Sequence, residues 1–487
     1  MDIQFDNTYA ELPERFYSPV KPEPSSAPET IVVNEPLAQR LGFEPEWLAS
    51  EQGAQFVVGN HLLEGSEPIA LVYAGHQFGN WVPRLGDGRA ILIGEVLDKD
   101  QARFDLQLKG SGRTPYSRRG DGRAPLGPIL RETLLGHAMT ALGVPTTQVL
   151  AAASTGDRVV RQQSLPGGVL VRVAESHLRI GTFEYFASQG DREAIELLVD
   201  YTIDRHYPEL PKGSPMALLD ALADKIAGLV ATWQLLGFIH GVMNTDNMLL
   251  CGQTIDYGPC AFMNEYDPDT VYSSIDRHGR YAYGNQPRIA QWNVSRFAES
   301  LLSAVDGEDK QERFLAQAQE IIDDFPERFR KAYTTGMTQK LGLSSPRDGD
   351  WELITDLLEL MYETNSDYTL TFRTLAERAE PEEGAPDIFE LDGAFEPWLE
   401  RWRQRLDNED TALAEQKAKM AAANPVFIPR NHLVEEALED AVERGDYTRF
   451  HELMEVLEDP FTYRASHERF ALAPKPEERV AATFCGT

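Results

Sequence analysis

His240, Asn247 and the triplet Asp256-Tyr257-Gly258 are the residues whose types and spacing most directly imply chemistry in this chain. In loops that transfer phosphoryl groups, a histidine opens the loop and an aspartate two residues on takes the acceptor's proton. An asparagine seven after the histidine holds a metal, and an Asp-x-Gly triplet supplies the second metal ligand. Three of these four places are filled here. The fourth is Val242, which can neither accept a proton nor orient a hydroxyl. Nucleotide and metal binding are therefore expected, and ordinary phosphorylation is expected to be impaired. Asn247 and Asp256 offer two oxygen ligands, which together with nucleotide phosphates suit Mg2+ or Mn2+, since hard cations take oxygen donors and magnesium keeps several waters. Asparagines beside turns also cap backbone groups, but the paired spacing favours a metal.

A second chemical feature is a concentration of positive charge. Between Arg103 and Arg131 lie seven basic residues and two acids, interleaved with the glycines of KGSGRTPYSRRGDGR, in a chain whose formal net charge is -32. A solvated loop face is the plain reading of a charge run. Against so acidic a background, a phosphate site is the better one.

The elements that must position these residues can be read from periodicity. WVPRL, RAILIGEV and RFDLQLK, separated by GDG and DKDQA, read as three successive antiparallel strands. In the last, Phe104, Leu106 and Leu108 share one face, which leaves Asp105, Gln107 and Lys109 on the other. A helix follows from about Leu126 to Leu142, stopped by Gly143 and Pro145, with Glu132 in its first half. A lysine on a third strand and a glutamate on the next helix is the pairing that fixes a nucleotide-binding lysine in kinase-like folds. VLVRVAESHLRIGTFEYFA reads as mixed strands. A long helix begins near Ser214-Pro215, its Leu219, Leu222, Ile226, Leu229, Trp233 and Leu236 forming a buried stripe that ends at Gly237. Met248-Leu249-Leu250 and Thr254-Ile255-Asp256 read as a short hairpin that would bring Asn247 and Asp256 together. Beyond Pro287 the pattern is largely helical, with breaks at Ser344 to Asp350 and Glu380 to Pro386.

At 487 residues the chain exceeds what one core usually organises, so two lobes with a cleft are expected. The acidic balance argues against a nucleic-acid or anionic-membrane partner. Three cysteines, Cys251, Cys260 and Cys485, make no disulfide framework or paired-cysteine zinc motif, as befits a reducing cytosol. The acidic N-terminus does not read as a signal or transit peptide, and the uncharged apolar stretch Gly228 to Ile239 is too short to span a bilayer. A cytoplasmic protein is expected. Pro19 to Pro28 reads as a poorly ordered arm.

Long runs of the chain, among them YAGHQFGNWVPRLGDGRA, LQLKGSGRTPYSRRGDGRAPLGPILRE, LVRVAESHLRIGTFEYF, GVMNTDNMLLCGQTIDYGPCAFM and NPVFIPRNHLVEEAL, resemble the selenoprotein O family of kinase-like protein adenylyltransferases. The resemblance implies an α+β fold of bilobal, protein-kinase-like form: a mainly β N-lobe, a mainly α C-lobe and a helical C-terminal extension. Mapped onto this chain, residues 1–30 are an arm, and 31–185 an N-lobe with the glycine loop, Lys109 strand and Glu132 helix. Residues 186–440 are a C-lobe with catalytic loop and metal site, and 441–487 an extension with Cys485. The family implies ATP bound in reverse, with AMP transferred to Ser, Thr or Tyr hydroxyls of protein substrates and pyrophosphate leaving. By that resemblance Gly86, Gly88, Arg89, Asp121 and Gly122 contact nucleotide, Lys109 pairs with Glu132, and Arg172 and Arg179 hold the inward phosphates. Asn247 and Asp256 hold the metal, Asp256 also touches the nucleotide, and Asp246 is the proton acceptor that answers the vacancy at Val242. Without the resemblance, Arg172 and Arg179 would be read as partners of Glu175 or Glu184; for Asp246 the alternative to base catalysis is a structural or metal-linked role. The family's C-terminal selenocysteine or cysteine falls at Cys485, which with Cys260 forms a candidate redox pair; a surface thiol and a buried small residue is the alternative.

Three other activities compete with AMP transfer. One is UMP transfer from UTP. Another is a phosphotransferase acting on small molecules or proteins, against which Val242 counts. The third is a nucleotide-binding scaffold, against which the retained Lys109, Glu132, Asn247 and Asp256 count.

Overall fold

The computed structural model describes residues 3–379 and 391–484. The break expected at Glu380 to Pro386, and Cys485, lie outside them. The fold is α+β. Eleven strands come first: β1 (Gln4–Phe5), β2 (Tyr17–Pro19), β3 (Glu29–Val33), β4 (Ile69–Leu71), β5 (Gly75–Gln77), β6 (Asn80–Val82), β7 (Ala90–Leu97), β8 (Arg103–Lys109), β9 (Ala124–Pro125), β10 (Gln148–Val160) and β11 (Ser164–Ala174). Nine form one antiparallel sheet in the order β2-β4-β7-β8-β11-β10-β3, with β1 beside β7 and β9 beside β11; β5 and β6 form a separate hairpin.

The alternation expected in β8 is present. Phe104, Leu106 and Leu108 join Leu37, Phe56, Ile91 and Val171 in an apolar layer under the short helices of residues 35–57. The opposite face carries Asp105, Gln107 and Lys109, all buried and all paired with polar groups. The helix Leu126–Ala141 packs against β10 and β11 and ends where Gly143 adopts a left-handed φ of 77°. From Ile180 onward the chain is mainly helical. In Pro215–Leu235 the Ser214 hydroxyl accepts from the Ala217 N–H, the predicted stripe is buried, and Gly237 turns the chain (φ 70°) toward His240. No helix among the described residues is long and apolar enough to cross a membrane.

Four local expectations are corrected. WVPRL does not neighbour RAILIGEV in the sheet: Asn80–Val82 pairs with Gly75–Gln77, and β7 lies between β4 and β8. Only the first part of VLVRVAESHLRIGTFEYFA is strand; Ile180–Ser188 is a helix. Met248–Leu250 and Thr254–Asp256 do not pair with each other. Ile180 N–H donates to Met248 O and Leu250 N–H to Leu178 O, whereas Thr254 bonds Pro145 and Thr147, so each segment finds its partner far away in sequence. Finally, the Pro19 to Pro28 segment is held in place: Glu23 N–H donates to Ser111 O, Ser25 N–H to Asn60, and Arg123 donates to Pro24 O. Its lack of an apolar face is compensated by these polar contacts to the glycine-rich loop and to Asn60.

Candidate active site

The Glu132 helix, β8, β11 and the His240 loop converge on one buried charge cluster. Lys109 Nζ is hydrogen-bonded to Glu132 and reaches Asp256 Oδ1 at 2.8 Å. Arg172, on β11 directly across from Gln107, donates from Nε to Glu132 Oε1 and from Nη2 to Asp256 Oδ1, both at 2.8 Å. Arg179 lies behind them, with Nη1 4.0 Å from Asp256 Oδ2 and its guanidinium 4.5 Å above the Tyr73 ring. Neither arginine pairs with Glu175 or Glu184; Glu184 instead meets His76 and Thr245. Both are 2% exposed, so this charge is fixed at the inner end of the site. Burial works against ionising Asp256, yet Lys109, Arg172 and Arg179 outweigh it and hold its carboxyl well below the usual range. Asp256 also takes a left-handed φ of 65°, a conformation of stored strain for a non-glycine residue.

A cavity of about 280 Å³ opens in front of this cluster, walled by Arg89, Lys109, Glu132, Val242, Asp246, Asn247 and Asp256 among others. Val242 thus lines it where the usual base would stand. His240 Nε2 bonds Ile255 O at 2.9 Å, and burial pushes its pKa down to about 4; the neutral ring ties the loop to the segment that carries Asp256. Asn247 gives its amide N–H to Val242 O, which leaves its carbonyl oxygen for a ligand. Asp246 is more unusual. Its backbone carbonyl accepts from Arg179, its Oδ2 accepts from Gln77 at 3.2 Å, and its buried Oδ1 has no hydrogen-bond partner. Burial raises its pKa to about 7, against the opposing pull of Arg179 and Gln77. Two glycines make room for it: a Cβ on Gly75 would lie 2.8 Å from Asp246 Oδ1, and one on Gly181 3.3 Å from its Cα.

Gly86, Gly88, Asp121, Gly122 and Cys260 are not among the residues that line the cavity. Gly86 (φ 68°) packs against the Tyr116 ring and Gly88 against the Tyr116 carbonyl, so both serve close approach between two loops. Asp121 is paired with Arg161, and Gly122 (φ 66°) turns the glycine-rich loop back on Gly112. Cys260 is fully buried with Sγ against Tyr257 O. Several contributors carry no motif signal. Asp87 is buried 3.7 Å from Arg179, with its pKa pushed by burial up to about 6; Gln77 holds Asp246; Tyr73 supports Arg179. Arg131 donates to the carbonyls of Gly258 and Cys260 and to Asn431 and Glu435, locking the Glu132 helix to the segment after the triplet.

No group of three or more His, Cys, Asp or Glu side chains forms a metal cage among the described residues. A magnesium-type site does not require one, since phosphates and waters complete its shell. The all-oxygen donors of Asn247 and Asp256, with the unpartnered Asp246 Oδ1 nearby, fit such an ion.

Lys109, Arg172 and Arg179, the oxygen donors of Asn247 and Asp256 and the Asp246 carboxylate are thus gathered in one place, side chains that suit a nucleotide-handling transferase. The chain belongs to the SelO family: the profile described as "Protein adenylyltransferase SelO" matches residues 1–458. It is 52% identical over 488 residues to the "Protein nucleotidyltransferase YdiU" of Rhodopseudomonas palustris (strain BisB5), covering 99% of each chain. The proteins of that name from Nitrobacter hamburgensis and Rhizobium etli (strain CIAT 652) are 52% and 50% identical; the matches cover 100% and 99% of this chain and 96% and 97% of theirs. The protein is a protein nucleotidyltransferase.

Proposed function

We propose that this enzyme has a bilobal, kinase-like arrangement and transfers AMP from ATP to Ser, Thr or Tyr hydroxyls of other proteins, with the triphosphate entering far end first. The observation that carries this reading is the placement of Lys109 in the cavity wall, with Arg172 and Arg179 buried against the wall residue Asp256, while Val242 stands at the usual base position. Buried guanidinium groups suit a polyanionic leaving group, because their forks make bidentate, charge-assisted contacts to phosphate. Arg89 stands in the same wall. Gly86, Gly88, Asp121 and Gly122 belong to this reading as shapers of the glycine-rich loops beside the nucleotide.

In the reaction, the acceptor oxygen attacks the α-phosphorus, the bond from that phosphorus to the bridging oxygen of the β-phosphate breaks, and pyrophosphate leaves. Asp246 takes the hydroxyl proton; its unpartnered oxygen and raised pKa suit it to that task. Asn247 and Asp256 would hold Mg2+ or Mn2+, which when bound neutralises phosphate charge. Incubation of the enzyme and acceptor proteins with ATP labelled at either the α or the γ position tests the reading. Label from the α position on protein, with none from γ, is expected; γ label on protein would show a kinase, and no label from either would overturn AMP transfer, α-labelled UTP then separating UMP transfer from a scaffold.

A further inference from the structure

Beside the cavity lies a larger groove of about 1030 Å³ that shares Pro128, Gly258 and Ile275 with its wall. Apolar side chains stand in the open around it: Ile275 is 55% exposed, Phe484 72%, and Val160, next to the groove residue Arg161, 71%. Large exposed apolar groups gathered at one place mark a surface that meets another molecule. The opposite wall is acidic. Glu435, Glu439 and Glu443 follow one another at four-residue intervals, a like-charge spacing that costs helix stability. The chain there passes into a π turn over Asp440–Arg444, a distortion frequent at functional sites, which contributes Val442 and Glu443 to the groove.

The groove's charges are not balanced from within. Arg131 is spent on Glu435, Asn431 and two carbonyls, and Arg161 on Asp121 and two carbonyls. Glu439 and Glu443 are exposed, and neither has an ion pair or hydrogen bond within the described residues. What remains uncompensated is two carboxylates facing apolar side chains, within reach of the cavity where transfer takes place.

We propose that this groove docks the protein to be modified, through a segment that carries a basic residue beside an apolar one. The basic residue meets Glu439 and Glu443, and the apolar one packs on Ile275 and Phe484. The inference rests on the proposed transfer to protein hydroxyls, and its test separates the two.

Two short synthetic tyrosine peptides serve as probes, one with Lys and Leu flanking the tyrosine and one with Glu and Leu. Their binding to the full chain is read by fluorescence anisotropy without nucleotide, and their labelling with α-labelled ATP is read separately. The parent should bind the Lys-Leu peptide roughly tenfold tighter than the Glu-Leu peptide, the size expected of two solvent-exposed charge pairs. Glu439→Lys/Glu443→Lys should reverse that order and raise KM for the Lys-Leu peptide with kcat unchanged. Phe484→Ser should weaken both peptides, and pyrophosphate release without peptide should be the same in all three enzymes. Equal affinities of parent and double variant for both peptides would overturn the docking site. So would a dimer of the parent, seen by sedimentation, that the double variant dissolves, since the groove would then join two copies of this chain. Loss of α label from peptide and enzyme alike, with the binding preference intact, would count against AMP transfer and leave the groove standing.

Discussion

At the scale of single residues, the site depends on where a few carboxylates find their partners. Asp256 is satisfied by cations and stays charged, whereas Asp246 has a bare oxygen and titrates high. Asp246→Asn should therefore retain ATP binding and lose roughly 10²- to 10⁴-fold in AMP transfer, the range for removing a general base; equilibrium binding and initial rates measured on one preparation check both halves. Gly75→Ala should cut transfer by about 10²-fold with little change in melting temperature, because the new methyl would press on Asp246 Oδ1 and small misplacements of a catalytic group are costly. Asn247, Asp256 and the empty Val242 place were legible because a short loop keeps their spacing. Gln77, Tyr73 and Asp87 were not. Gln77 meets Asp246 across 169 residues of sequence, and no local pattern signals such a contact.

At the scale of elements, the same contrast holds for strands and helices. The face alternation of β8 and the stripe of Pro215–Leu235 were readable because period 2 and period 3.6 are local properties. The hairpin expected between Met248–Leu250 and Thr254–Asp256 failed because a strand's choice of neighbour is not local: Leu178, Ile180 and Pro145 offered better-placed backbone groups. Arg131 illustrates how the elements are held in register. Its side chain is buried and donates to Gly258, the last residue of the triplet, and to Cys260 just beyond it. Arg131→Met should destabilise the fold by about 3 kcal/mol through the acceptors it strands. Amide exchange should quicken selectively in residues 258–262. Uniform exchange across the molecule would show that the arginine ties no particular segment.

At the scale of the whole molecule, buried neutral histidine links folding to pH. His240 titrates near 4 in the folded protein and near the ordinary 6.5 when unfolded. Between those values the unfolded chain binds the proton and the folded one does not. Stability is therefore undiminished above about pH 6.5 and falls as the pH drops toward 4, by about 3 kcal/mol from this group. Urea titrations across that window should show a shallower fall for His240→Gln, whose amide can still donate to Ile255 O; parallel curves would remove the assignment. In a strongly acidic chain, Lys109, Arg172 and Arg179 are gathered around Glu132 and Asp256 beside the cavity, and the proposed function assigns them to the triphosphate. The most direct measurement is a structure of the protein with α,β-methylene ATP and Mg2+. The β- and γ-phosphates should contact Arg172 and Arg179, with the α-phosphorus beside Asp246. A γ-phosphate at the cavity mouth, with neither arginine touching a phosphate, would contradict the account.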